Sequence, residues 1–432
     1  MHDPVRDVYA ASSRFRLAAI RSDRRVLAPN NRSWCPLSHA NATRREISSA
    51  SFPGRILALD GLRGVAILLV LTRHWIFMRP GNLLEMFIVA EGRVGWIGVD
   101  LFFVLSGFLI TNVLLRSRAE PHYWRHFYLR RALRILPPYF AVLLALTALA
   151  PLALRIDPRG VQVFFAEAGW YWSHTTNVLV AKGSTFDSMP FLTGPFWSLA
   201  IEEQYYLFWP AVVAWVPSRR LITVCMCFAA ASAILRAILV LHGTSQIALF
   251  VLLPTHLDGL ALGSALAGAL ADLRVRQYLI AAGRWLARLT APSWTAGYIG
   301  LVALLFALNP SGGYASEAAE TIGLPVVAFG SAVLLLATLA SPPNTPLART
   351  LRIPWLRWLG RRSYVIYLVH SPVSYLLDAL GLGIERLPRV NGSELPAELM
   401  RIALAAIITI ALAESSWHLL ERPFERLKYR LT

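Results

Sequence analysis

Lysine is nearly missing from this chain of 432 residues, appearing only at Lys182 and Lys428. Charged residues of all kinds make up 16%, against about a quarter in soluble proteins. Acidic residues are outnumbered by basic ones, 25 to 42, for a formal net charge of +17. The basic residues fall mainly between apolar runs, so the charge reads as loops facing anionic headgroups and not as a nucleic-acid surface. The three cysteines supply neither a disulfide framework nor zinc-ligand spacing: Cys35 stands alone, and Cys225 and Cys227 lie two residues apart in an apolar stretch. There is no Gly-x-Ser-x-Gly elbow and no His-Glu-x-x-His helix, which removes soluble-hydrolase and metalloprotease mechanisms. No metal is expected, and no internal repeat is evident.

What the chain has is apolar sequence. Hydrophobic residues are 56% of it and the mean hydropathy is +0.50. The expected fold is all-α, a polytopic membrane protein of about ten transmembrane helices at roughly 20 residues per span. The spans are placed at 56–78, 95–115, 135–154, 196–216, 221–241, 247–271, 294–308, 321–340, 363–380 and 400–420. Residues 1–54 lack a sustained apolar period and read as a basic, disordered cytoplasmic tail. Leu17 to Ile20 is too short for the core of a secretory signal. A membrane domain over 55–426 and a short cytoplasmic tail over 427–432 complete the division. Residues 155–195, with Trp170-Tyr171-Trp172, read as an extracytoplasmic segment lying in the interface. The loops at 116–134, 272–293 and 341–362 are rich in Arg, whereas 309–320 carries Glu317 and Glu320 and no base. The positive-inside rule then places both termini in the cytoplasm.

Ionisable groups inside spans cost at least ~2.5–3.5 kcal/mol on insertion scales, so each asks for a partner or a function. Arg63 and His74 share the first span, eleven residues apart. That is close to three helical turns, so they face nearly the same way, about 16 Å apart along the axis at ~1.5 Å per residue. A snorkelling Arg and a packing His are the plainer alternatives. Asp100, Glu202, Glu203, His256 and Asp258 fall in the outer halves of their spans, with His74. His370 is expected nearer the cytoplasm, and Arg130, Arg131 and Arg134 stand at the cytoplasmic mouth of the third span. Transfer of an acyl group from a thioester to a hydroxyl needs a base near neutral pKa, which His supplies, and a holder for an anionic donor, which Arg supplies. Ser106 is a possible nucleophile, although a packing Ser beside Gly107 is the commoner use.

Several runs carry a family resemblance. They are Leu59-Asp60-Gly61-Leu62-Arg63-Gly64 with His74, Gly98 to Phe108, Tyr128 to Tyr139, Trp197-Ser198-Leu199-Ala200-Ile201-Glu202-Glu203-Gln204-Tyr205-Tyr206, Thr255 to Gly263, Ser363 to His370, and Glu421-Arg422-Pro423-Phe424. In this order, over roughly 56–426, the chain resembles the acyltransferase-3 family, integral membrane O-acyltransferases of the surface-polysaccharide and O-antigen acetylase type. The resemblance implies a ten-helix enzyme of the bacterial inner (cytoplasmic) membrane. It takes an acyl group, acetyl first among the candidates, from acyl-coenzyme A on the cytoplasmic side. The acceptor is a hydroxyl of a carbohydrate or glycolipid, such as a surface polysaccharide, lipopolysaccharide or lipo-oligosaccharide. The family's essential Arg and His map to Arg63 and His74, and its basic residues before the third helix to Arg130, Arg131 and Arg134. Its fourth-helix acid maps to Glu202 or Glu203. Some members carry a further extracytoplasmic hydrolase-like domain, which is not expected in this sequence. The reading that follows makes His74 the general base, with Glu202 or Asp100 fixing its tautomer. Arg63, Arg130, Arg131, Arg134, Glu203, His256, Asp258 and His370 are assigned to donor or substrate binding. The alternative is a transporter or flippase for a polysaccharide precursor, which would release no coenzyme A thiol. The sequence sets no oligomeric state.

Overall fold

Proline, glycine and charge clusters cut the apolar sequence into helices, and a computed structural model shows how they stack. It describes residues 53–431 except 155–156, 184, 187–188, 290 and 309–315. The expected tail over 1–54 therefore lies almost wholly outside the described residues. The principal helices are α1 (Pro53–Trp75), α2 (Leu83–Val94), α3 (Ile97–Ser117), α4 (Tyr123–Ala153), α5 (Pro158–Ala166), α6 (Ala168–Trp172) and α7 (Thr176–Gly183). They continue as α8 (Phe196–Trp215), α9 (Ser218–Leu241), α10 (Gln246–Val251), α11 (Asp258–Ala271), α12 (Leu273–Ala287), α13 (Ala291–Leu308) and α14 (Leu324–Ala340). The last four are α15 (Pro346–Leu351), α16 (Pro354–Leu377), α17 (Leu395–Ser416) and α18 (Arg422–Leu431). No strand occurs among the described residues.

Six helical stretches are long and apolar enough to cross a bilayer: Leu83–Ser117, Tyr123–Pro151, Ser218–Leu241, Ala319–Ala340, Pro354–Arg386 and Leu395–Leu427. The sequence pattern had called for about ten. Two of the difference, α1 and α8, are long but carry Asp60, Arg63 and Arg73, and Glu202 and Glu203. The other two, α11 and the 296–307 stretch of α13, are apolar but short. Protein neighbours replace lipid around the charged pair, which single-helix hydropathy does not register.

Three boundaries move for local reasons. α4 begins at Tyr123, twelve residues before the expected span, and runs through Pro137 and Pro138. His122, in the left-handed region at φ 62°, makes the corner before it. The expected span 247–271 is broken. α10 ends at Val251, a short turn holds Pro254, and α11 restarts at Asp258. His256 and Asp258 sit at this break and are buried. Residues 158–183 fold into three short helices, and the aromatic run divides. Tyr171 is fully buried and bonds Thr193 through its hydroxyl at 2.8 Å, while Trp172 stays 41% exposed and stacks on Phe140.

The centre of the bundle is built on close glycine contacts. On the α1–α16 seam, a Cβ at Gly360 would lie 1.7 Å from the Asp60 carbonyl oxygen, and one at Gly64 would lie 2.1 Å from that of Leu356. α3 and α11 repeat the device: a Cβ at Gly107 would meet the Leu260 oxygen at 2.0 Å, and one at Gly263 the Val104 oxygen at 2.0 Å. Small residues let backbones approach where no hydrophobic driving force separates helix from lipid. Gly360→Ala should therefore force α1 and α16 apart and cost on the order of 1–3 kcal/mol or more, as overpacking does. Gly330→Ala in α14 meets nothing within 4 Å and is the control. Thermal melts of the purified variants in detergent check this; equal midpoints would mean that the α1–α16 seam is not tightly packed.

Candidate active site

α1, α3, α4, α8 and α16 surround a cavity of about 210 Å³. Arg63 enters from α1, Ser106 from α3, Arg131 and Arg134 from α4, Ser198, Glu202 and Tyr206 from α8, and Tyr364 and Tyr367 from α16. Helical spacing explains the set: Arg131 and Arg134 are three apart, and Glu202 and Tyr206 four apart, so each pair shares a face. Three guanidinium groups face one carboxylate. None of the three makes a hydrogen bond to the protein among the described residues, although the Arg131 guanidinium lies 5.2 Å over the Tyr206 ring. Arg134 is exposed and marks the mouth. Ligand pockets usually hold about 300–1,000 Å³, so this cavity fits the reactive end of a larger molecule.

A hydrogen-bonded chain crosses the cavity. The Tyr206 hydroxyl donates to Glu202 Oε2 at 3.0 Å and also bonds Ser106 Oγ. Ser198 Oγ bonds the Tyr367 hydroxyl at 2.5 Å, and that hydroxyl donates to the Pro195 carbonyl at 3.0 Å. Of the two neighbouring acids, Glu202 lines the cavity and Glu203 does not.

His74 lies beyond this cavity, near the far end of α1. Its ring meets that of His370 edge-on, with centroids 4.9 Å apart. The His370 ring is in turn 5.4 Å from that of Tyr367, which lines the cavity. His74 Nδ1 bonds the Val70 carbonyl at 2.9 Å, and His370 Nδ1 bonds the Tyr367 carbonyl at 2.6 Å. A carbonyl only accepts, so each Nδ1 carries the hydrogen and each neutral ring keeps its lone pair on Nε2. His370 Nε2 is buried and has no hydrogen-bond partner among the described residues. His370 was expected nearer the cytoplasm. α16 begins at Pro354 instead of 363, which carries His370 past the middle of the helix to His74.

The remaining predicted residues go elsewhere. Asp100 does not orient His74, which is held by the backbone; it pairs with His256, Oδ1 to Nε2 at 2.9 Å, with both side chains fully buried. His256 Nδ1 bonds the Phe250 carbonyl at 2.5 Å, so both its ring nitrogens are committed. Asp258 pairs with Arg236 at 2.8 Å. Glu320, expected in a polar loop, is fully buried at the start of the Ala319–Ala340 stretch, with neither carboxylate oxygen hydrogen-bonded among the described residues. Glu202 accepts from Tyr206 and, among the described residues, makes no hydrogen bond with His74, and Arg130 does not line the cavity.

Sequence reasoning missed Arg236, although a lone Arg inside an apolar helix was signal enough. It also missed Tyr206, Ser198 and Tyr367, whose roles depend on partners about a hundred or more residues away. Outside the spans, His174 sits in the left-handed region at φ 54° and stacks on Tyr139 at 3.9 Å. Burial pushes its pKa down to about 4, so it is neutral at physiological pH. Among the described residues no group of three or more His, Cys, Asp or Glu is placed to hold a metal ion.

Comparison with known proteins gives the site a context. The peptidoglycan O-acetyltransferase OatA of Listeria monocytogenes is 29% identical over 387 residues, 85% of this chain and 56% of its own length. YrhL of Bacillus subtilis, provisionally named a peptidoglycan O-acetyltransferase, is 29% identical over 394 residues, 87% of this chain and 56% of its own. A provisionally named O-acetyltransferase of Staphylococcus aureus is 26% identical over 393 residues, 86% of this chain and 57% of its own. The chain thus spans little more than half the length of these relatives. No solved structure matches it. The family profile described as an acyltransferase domain matches residues 56–413, and on that match, which takes in every helix around the cavity, the chain belongs to the acyltransferase-3 family.

Proposed function

We propose that the chain is a membrane O-acyltransferase that moves an acyl group, acetyl in the first instance, from acyl-coenzyme A to a carbohydrate hydroxyl. The observation that carries this is the cavity itself: three guanidinium groups with no hydrogen bond to the protein among the described residues, around one carboxylate, with α1 running from Arg63 to His74. The excess positive charge suits the phosphates of coenzyme A at the mouth, by Arg134, with the thioester end inside. His74, neutral with its lone pair on Nε2, takes the proton of the acceptor hydroxyl. The peptidoglycan named in two relatives makes a cell-wall glycan the first acceptor to test, ahead of lipopolysaccharide or lipo-oligosaccharide. Purified protein should release coenzyme A thiol from acetyl-coenzyme A, and mass spectrometry of surface glycans should lose one acetyl mass when the gene is deleted. Unchanged glycans together with no thiol release would favour a transporter.

The proposed setting is the bacterial inner membrane with both termini cytoplasmic, supported by the Arg-rich segments after α3 and α14. Reporter fusions after Leu115 and Leu420 should read as cytoplasmic, and one after Glu317 as outside. A cytoplasmic signal at Glu317 would overturn the orientation.

A further inference from the structure

We propose that Ser106 is the nucleophile that first receives the acyl group, making transfer a two-step reaction through a serine ester; this rests on the acyltransferase reading above. The argument begins with where hydrogens can go. A phenol has one hydrogen, and that of Tyr206 is given to Glu202 Oε2. The contact between Ser106 Oγ and the Tyr206 hydroxyl must then be donated by Ser106. The chain Ser106–Tyr206–Glu202 is directed throughout toward a carboxylate, and among the described residues no donor takes the serine lone pairs. Ser198, in the same cavity, is the informative contrast. Its partner Tyr367 donates to the Pro195 carbonyl, which cannot accept a proton in catalysis. Only the Ser106 chain ends on a base.

Placement supports the role. Ser106 is fixed from behind, because Gly107 packs against the Leu260 backbone and its own carbonyl accepts from Ser264 Oγ at 3.0 Å. Arg63 and Arg131 line the same space and are the cations available to the negative oxygen that forms on attack. A nucleophile bonded to a base that is itself fixed by a further contact is the general requirement for covalent catalysis.

The step balances as follows. Ser106 Oγ attacks the thioester carbonyl carbon while its proton passes to the Tyr206 oxygen and the Tyr206 proton passes to Glu202. The C–O bond forms, the C–S bond breaks, and the leaving thiolate takes the proton back from Glu202 through Tyr206 to depart as the thiol. In the second half the acceptor oxygen attacks the serine ester. A new C–O bond forms, the bond from Ser106 Oγ to the acyl carbon breaks, the acceptor's proton is taken by His74, which reaches the cavity wall through His370 and Tyr367, and one proton is returned to Ser106 Oγ as it leaves. Loss of His74 should then stall the second half and leave the first intact.

The test uses the full chain in lipid nanodiscs with acetyl-coenzyme A and no acceptor, read by peptide mass spectrometry and by equilibrium binding. His74→Ala should accumulate one acetyl mass on the peptide carrying Ser106. Ser106→Ala should bind acetyl-coenzyme A as wild type does and carry none. Ser106→Cys should carry the acetyl as a hydroxylamine-labile thioester, which shows that the altered helix still folds. Glu202→Gln should lose the adduct with Ser106 intact. An adduct on Tyr206, or no adduct on a His74→Ala protein that binds acetyl-coenzyme A, would overturn the serine ester and leave the acyltransferase reading standing. Failure of the wild type to bind acetyl-coenzyme A would overturn both.

Discussion

His74→Ala is expected to lower acyl transfer by about 10²–10⁴-fold, the usual contribution of a general base, while the protein folds and binds acetyl-coenzyme A. The Val70 carbonyl at 2.9 Å keeps the hydrogen on Nδ1, so Nε2 is the nitrogen left to take a proton. His74→Gln is the sharper variant, because the amide keeps hydrogen-bonding capacity and cannot take a proton. It should be as inactive as alanine. The measurement is acetyl transfer to a cell-wall glycan fragment, with donor binding run in parallel. Near-wild-type turnover by His74→Gln would make His74 structural. The base would then be sought at His370, whose Nε2 is buried with no hydrogen-bond partner among the described residues, and not at His256, whose two nitrogens are already bound.

Arg63→Ala should weaken acetyl-coenzyme A binding by about ten- to a hundredfold, since a hydrogen bond to a charged group contributes roughly 1.5–3 kcal/mol. No protein partner would be left unsatisfied, because Arg63 bonds none among the described residues. Arg63→Lys should recover only part of the loss, because an ammonium keeps the charge and not the planar fork. Arg131→Ala should resemble Arg63→Ala. Arg130→Ala is the comparison, a neighbouring cation outside the cavity, and should change affinity little. Isothermal titration of the purified variants reads all four. Equal losses at Arg63 and Arg130 would mean that the donor senses a general positive field; no loss at Arg63 would move the donor site away from this cavity.

These residues differ in how visible they were before the structure. Arg63 and His74 stood out because charge inside an apolar segment is costly and because eleven residues bring two side chains onto one helix face. Arg131 and Arg134 could be placed at a span entrance by the same local logic. Membrane insertion acts on sequence-local hydropathy, so the all-α class and the long apolar helices could be read from the order of residues alone, whereas the short helices between them could not.

Pairing could not. The sequence set Asp100, His256, Asp258 and His74 in one outer layer, and the fold sent Asp100 to His256 and Asp258 to Arg236. It also turned Glu202 to Tyr206 and brought His370 beside His74. A hydropathy run gives the depth of a side chain along its own helix. Which neighbour it meets depends on helix rotation and on how closely backbones approach, and here Gly64, Gly107, Gly263 and Gly360 set both by admitting a carbonyl where any Cβ would collide. The sequence by itself determined a helical membrane protein of the acyltransferase-3 family with an arginine in its first helix and a histidine farther along the same face. Only the tertiary structure decided that Ser106, Tyr206 and Glu202 form one chain, because its members come from two helices, α3 and α8, a hundred residues apart, that meet only when the bundle packs.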